Sequence, residues 1–293
     1  MLWILLTAAA APLQVARNAL QRGLVGDAGP WGATLVRFLF GLPFSLLIFA
    51  VVAFATPQAE PHLSWRFAIA VTAGAIAQVS ATAALLMAMR HSGFAVATFM
   101  QQSSLPLAAI MGFVVFGDHM NPVQWLGLVA ATAGLLILSW PKRDAATGVL
   151  NGSLFGLASG LAFAVALNGY RQAGMALEPG HPIYSATASL CVAQALQSLV
   201  LGGILAATRP QALRSVMGSW RQSLGAGLCG TAASACWFSA LALAPAGQVR
   251  AVGVIEGPIA AAAGRRLFKE RLSLVQIVGG TATGVGVVMT ALG

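Results

Sequence analysis

Along the chain, apolar runs of about twenty residues alternate with short polar connections. The runs cover 2–22, 31–54, 67–89, 93–116, 121–140, 150–171, 182–207, 222–243, 246–268 and 273–292. Each is long enough for a helix to cross a hydrocarbon core of about 30 Å. A transmembrane barrel would instead show alternating segments of about ten residues. The connections collect turn and charged residues: Thr56–Trp65 with two prolines, Pro141–Thr147, Glu178–His181 and Thr208–Arg221. The pattern predicts an all-α integral membrane protein with ten transmembrane helices. The apolar stretch Leu2 to Leu13 has no basic region before it, so it reads as the first span and not as a cleaved signal.

Composition supports this reading. Residues of the AVILMFWYC set make up 58% of the 293 and charged residues 8%, against roughly a quarter charged in a soluble domain. Lipid must cover the surplus apolar surface, and helices then satisfy their own backbone. The net charge of +9 is spread between apolar runs, which argues against nucleic acid and for topology signals. Arg22, Arg90, Lys142, Arg143, Arg209, Arg214, Arg221, Arg265, Arg266, Lys269 and Arg271 lie in or beside the connections after spans 1, 3, 5, 7 and 9. The other connections hold Arg66 and little else. Positive charge stays in the cytoplasm, so both termini are expected on the outer, periplasmic side. Cys191, Cys229 and Cys236 lie in apolar stretches and read as small packing residues. His62, His91, His119 and His181 show no ligand spacing, and CxxC, HExxH and Walker glycine patterns are missing. No metal, cofactor or catalytic residue is expected.

The chain also repeats itself. A shift of 152 residues pairs Pro106, Ala108, Ala109, Gly112, Phe116, Val123, Gln124, Gly127, Ala130 and Gly134 with identical residues, ten of the 29 positions from 106 to 134. Asp118 meets Glu270 in the same frame, and Pro30 meets Pro182. Residues 1–140 and 141–293 are therefore expected to be two five-helix repeats. An odd number of spans forces the second copy to enter from the opposite side, the inverted-repeat plan of many secondary transporters. The expected architecture is two inverted repeats around a central cavity.

The repeated residues resemble a known family. Pro106, Phe116-Gly117-Asp118 and Val123-Gln124-Trp125-Leu126-Gly127 resemble the end of an EamA domain, as do Glu256-Gly257-Pro258, Phe268-Lys269-Glu270 and Gln276-Ile277-Val278-Gly279. Arg37-Phe38 is similar to the family's Arg-Phe in the second span. Three positions depart from the pattern: Asp118 stands for the usual Glu, Lys269 for the Gly before Glu270, and Gly257 separates Glu256 from the proline. The resemblance implies the drug/metabolite transporter superfamily, with ten helices, a central cavity and no ATP domain. Among bacterial members it points to exporters of amino acids, aromatic amino acids included.

A central charge in a spanning helix costs roughly 2.5–3.5 kcal/mol, so each polar residue there needs a reason. Glu256 sits mid-span beside Gly257 and Pro258. It reads as a ligand for a substrate ammonium or a proton-coupling carboxylate, or alternatively as a buried carboxylate that locks helices through backbone or an Arg. The shift of 152 aligns it with Ser104, within Gln101-Gln102-Ser103-Ser104. Gln101 and Ser104 share a helical face and are expected to point inward, as cavity wall or as interhelical hydrogen bonds. Asn18 and Asn168 occupy similar places in spans 1 and 6. Gln78 and Trp237 are further candidates, the Trp either stacking on substrate or packing. Arg37 and Arg250 lie one to two turns inside their helices and are expected to snorkel to the headgroups, with a substrate carboxylate as the alternative. The substrate-binding set is therefore Glu256, Gln101, Ser104, Asn18, Asn168, Gln78 and Trp237.

The expectation is a monomeric secondary transporter in a bacterial inner membrane that exports amino acids or similar small metabolites. Its partners would be the substrate, the lipid bilayer and, for coupling, a proton; nucleic acid is excluded. A multidrug or other metabolite carrier is the alternative. A membrane-embedded enzyme or a channel ranks below both.

Overall fold

The structure, a computed structural model, describes residues 2–116, 121–139, 147–268 and 274–292, and among these every regular element is helical. Gly117, Asp118, His119, Lys142, Arg143, Lys269, Glu270 and Arg271, which carry part of the family resemblance and of the charge bias, lie outside the described residues. In chain order the helices are α1 (Leu2–Leu39), α2 (Leu42–Ala55), α3 (Trp65–Ser92), α4 (Phe94–Gln101), α5 (Ser104–Phe116), α6 (Pro122–Ser139), α7 (Thr147–Leu177), α8 (Pro182–Thr208), α9 (Pro210–Gly218), α10 (Trp220–Leu243), α11 (Ala246–Val252), α12 (Glu256–Phe268) and α13 (Leu274–Leu292). Among the described residues, six helical stretches are long and apolar enough to cross a membrane.

The first of these stretches, Leu2–Ala55, is longer than a single crossing needs, and the chain folds back within it. Pro30 disfavours helical backbone at the residue before it, and Gly29 accepts φ 69° there because it has no Cβ. Gln21 Nε2 then donates to Ala33 O at 2.7 Å, although twelve residues of straight helix would separate them by about 18 Å. The first span thus runs on past the expected connection at 23–30 to Ala28.

The chain forms two compact units, one from residues 1–79 and 166–245, the other from 80–165 and 246–293. The first unit draws one segment from each sequence half, and the second combines a segment that crosses the junction of the halves with the end of the second half. In the first unit, Phe67, Val71 and Ala75 on α3, Ala166, Tyr170, Ala173 and Leu177 on α7, and Ala186, Leu190 and Ala193 on α8 close a core with Phe238. Spacings of three and four put each set on one helix face. α3 and α7 approach closely, since a Cβ on Gly74 would lie 2.8 Å from Tyr170 Cε1.

In the second unit, α6 packs along α13, the helix that the 152-residue shift equates with it. A Cβ on Gly134 would meet Gly279 O at 2.7 Å and the backbone of Thr283, and one on Gly286 would meet the backbone of Gly127 and Ala131. The earlier glycine of one helix thus faces the later glycine of the other, so the two run antiparallel. A second glycine row, Gly152, Gly156 and Gly160 on α7, lies against Ser92, Met100 and Ser103–Ser104. Small residues at four-residue spacing allow such approach, and this row seats the interrupted helix that carries the candidate site.

Candidate functional site

Two helical stretches of the second unit, α4–α5 and α11–α12, are broken at equivalent places. α5 (Ser104–Phe116) and α12 (Glu256–Phe268) are offset by 152 residues at both ends. Each has a proline as its third residue, Pro106 and Pro258. A proline has no N–H for the carbonyl four residues earlier and its ring crowds that carbonyl. The affected carbonyls belong to Gln102 and Val254, where the helices break. Gln102 O accepts instead from Leu105 N–H at 3.0 Å, and Ser103 N–H donates to Met100 O at 3.1 Å. The winding is tighter than α on both sides, with a 3-10 turn at Gly253–Ile255 in the second copy.

Four polar side chains converge on these breaks, all buried. Arg250, on α11, donates through Nη2 to Gln102 Oε1 and to Ser104 Oγ, both at 3.0 Å. Gln102 Nε2 donates to Glu256 Oε2 at 3.3 Å. Arg250 Nη1 stands 3.9 Å from the same carboxylate oxygen. The Gln102 amide thus bridges cation and anion, its oxygen toward the guanidinium and its nitrogen toward the carboxylate. Glu256 is also the first residue of α12, where the helix dipole favours a negative charge. Gly257 follows because a Cβ there would lie 2.9 Å from Phe99 Cε1, which gives the departure from the family pattern a packing reason.

Burial of Arg250 at 3% exposure and Arg37 at 2% corrects the expectation that they snorkel to the headgroups. Arg250 has Glu256 beside it, and Arg37 Nη2 donates to Ser234 Oγ at 3.0 Å. The pairing of Arg250 with Glu256 was hard to read from spacing. Six residues of straight α-helix place side chains about 120° apart around the axis, and three residues of 3-10 winding reduce this to about 60°. The three glycine-and-branched residues before Glu256, followed by Pro258, were the available signal.

The expected site residues fall into both units. Glu256 and Ser104 belong to the cluster just described. Gln101 is buried beside it, with no hydrogen-bond partner for Oε1 among the described residues. In the first unit, Gln78 Oε1 accepts from Tyr170 Oη at 2.8 Å and Gln197 Nε2 at 2.9 Å. Asn18 Oδ1 accepts from Arg17 Nε at 3.0 Å. Asn168 and Trp237 are buried on α7 and α10. Sequence reasoning weighs Arg250 but keeps it outside the substrate-binding set, and does not reach the bridging role of Gln102 or the buried Arg17, Tyr170 and Gln197. Among the described residues no group of His, Cys, Asp or Glu is placed to hold a metal ion.

Chemically, the cluster is a buried charge pair bridged by an amide. Breaking such a pair by removing one partner costs roughly 3–5 kcal/mol.

In comparison with known proteins, the profile of the EamA-like transporter family matches residues 1–140. No curated protein matches the chain. One solved crystal structure is similar over 99% of this chain and 96% of its own, with a TM-score of 0.62 at 16% identity. That is a likeness of fold alone.

Proposed function

We propose, for a multi-pass membrane protein whose residues 1–140 match the EamA-like transporter family, that it exports amino acids or related small metabolites by alternating access. The observation that carries this reading is the buried Arg250–Glu256 pair bridged by Gln102 at two proline-broken helices. A zwitterion presents both charges needed to replace that pair, so substrate binding can open the cluster without leaving a bare charge in the bilayer. The proposed substrate-binding residues are Glu256, Gln101, Ser104, Asn18, Asn168, Gln78 and Trp237. Glu256 is the proposed proton carrier if export is proton-coupled.

The proposed architecture is ten spanning helices in two inverted five-helix repeats. Coincident helix ends at a shift of 152 and the antiparallel pairing of α6 with α13 support it. Broken helices near the bilayer midplane suit a carrier's binding site. The proposed location is a bacterial inner membrane with both termini outside. Unit geometry supports this orientation: Glu178 accepts from Glu60 N–H at 3.1 Å, joining the connections after spans 2 and 6, while Arg209, Arg214 and Arg221 lie at the other end of α8.

Counterflow in proteoliposomes with a panel of labelled amino acids tests the substrate class. Accumulation of a subset is the expected result. A multidrug carrier is the reading favoured if cationic dyes accumulate and every amino acid fails. A C-terminal reporter active only in the cytoplasm contradicts the orientation.

A further inference from the structure

We infer that α9 and the first turn of α10 form a docking surface for anionic phospholipid headgroups. The nine residues of α9 (Pro210–Gly218) reach about 13 Å, too short to cross a bilayer. The helix links α8 and α10, both long and apolar enough to do so, and therefore lies where they leave the hydrocarbon. Its two faces differ. Val216 is fully buried, and Leu213 packs on Leu35, Leu201 and Leu205. Gly32 on α1 lets the helix in, since a Cβ there would sit 3.4 Å from Val216 Cγ2 and 3.7 Å from Ala212 Cβ.

The outward face mixes exposed cations with exposed large apolar side chains. Arg209, Arg214 and Arg221 are exposed beside Met217 and Trp220, which are 54% and 50% exposed. Arg221 lies over the Trp220 ring at 5.3 Å from its centroid. The stretch from 209 to 221 contains no Asp or Glu. Arg22 and Asp27 on α1, near the same end, contribute one charge of each sign. Water suits the arginines and leaves Met217 and Trp220 exposed; hydrocarbon suits the latter and not the arginines. A headgroup layer suits both, and a negative one adds attraction to three guanidiniums. The corresponding connection of the first half, between α2 and α3, is not helical and carries Glu60. The surface is thus a property of one end of the unit.

The test uses the full chain in vesicles and tryptophan quenching by brominated phosphatidylglycerol against brominated phosphatidylcholine. Three arginines near an anionic surface predict a preference for phosphatidylglycerol on the order of a hundredfold at low salt, reduced by added sodium chloride. R209Q/R214Q/R221Q is expected to bring the two lipids close to parity, while Arg66→Gln leaves the preference intact. An unchanged preference in the triple variant overturns the inference, as does suppression of the preference by millimolar inorganic phosphate, which would mark a free-anion site. If the triple variant does not fold, the salt series on the native chain decides: a salt-independent preference overturns the inference.

Discussion

In α4–α5 the chain breaks at Gln102–Ser103 and restarts at Ser104; in α11–α12 it breaks at Gly253–Ile255 and restarts at Glu256. The two restarts share a length, a proline at the third position and a tight turn before it. Their chemistry has diverged. Where the first copy has Thr98 and Ser104, the second has Arg250 and Glu256, so one copy supplies both charges and the other supplies Gln102 to bridge them. A duplicated backbone thereby holds an unduplicated site: the proline break is the inherited part, and the charge pair is the part that distinguishes the halves.

The comparison makes graded predictions. Glu256→Ala leaves the Arg250 guanidinium buried without its carboxylate, and a loss of about 3–5 kcal/mol is expected, read as a lower midpoint in thermal unfolding of the detergent-solubilised protein. The double variant R250T/E256S gives the second copy the residues of the first. It should regain most of that stability while losing transport, because removing both charges leaves neither unpaired. Additive losses in the corresponding double-mutant cycle would show that the two residues are not coupled.

Packing at the breaks is the next level. Gly257→Ala and Gly160→Ala drive a methyl against Phe99 and against Ser103–Ser104, and overpacking of this kind costs about 1–3 kcal/mol. Gly160→Ala should also weaken transport more than its stability loss accounts for, since it displaces Ser104 from Arg250. The smallest effect belongs to the first unit. Tyr170→Phe removes the hydrogen bond donated to Gln78 and the one accepted from Gln197, whose Nε2 keeps Gln78 and Ala75 as acceptors; a net loss of about 0.5–1.5 kcal/mol is expected, with counterflow near the native rate.

Much of this was legible in the residues. Twenty-residue apolar runs gave the helices, and the 152-residue shift anticipated where α5 and α12, α6 and α13 begin. Ser104, Gln101 and Glu256 stand out in the sequence because polar residues in a lipid-facing sequence are few and costly. Arg250 was misread because a guanidinium near a helix end usually reaches water, and because six-residue spacing joins two side chains only after a 3-10 turn has rewound the helix. In the connection Thr208–Arg221 three arginines and a proline dominate the sequence, while the short helix α9 rests on the apolar face of Leu213 and Val216. The two compact units were hidden for another reason. Sequence order groups residues by copy, whereas packing groups each copy's early helices with the other's.

The most direct test of the central claim is amino acid counterflow by the native protein and by Glu256→Gln, a near-isosteric change that keeps the Gln102 contact and removes the charge. The native chain should accumulate labelled amino acid, and the variant should fold and lose that accumulation by at least tenfold, the equivalent of about 1.4 kcal/mol. Native-level counterflow by a folded Glu256→Gln variant would contradict the account.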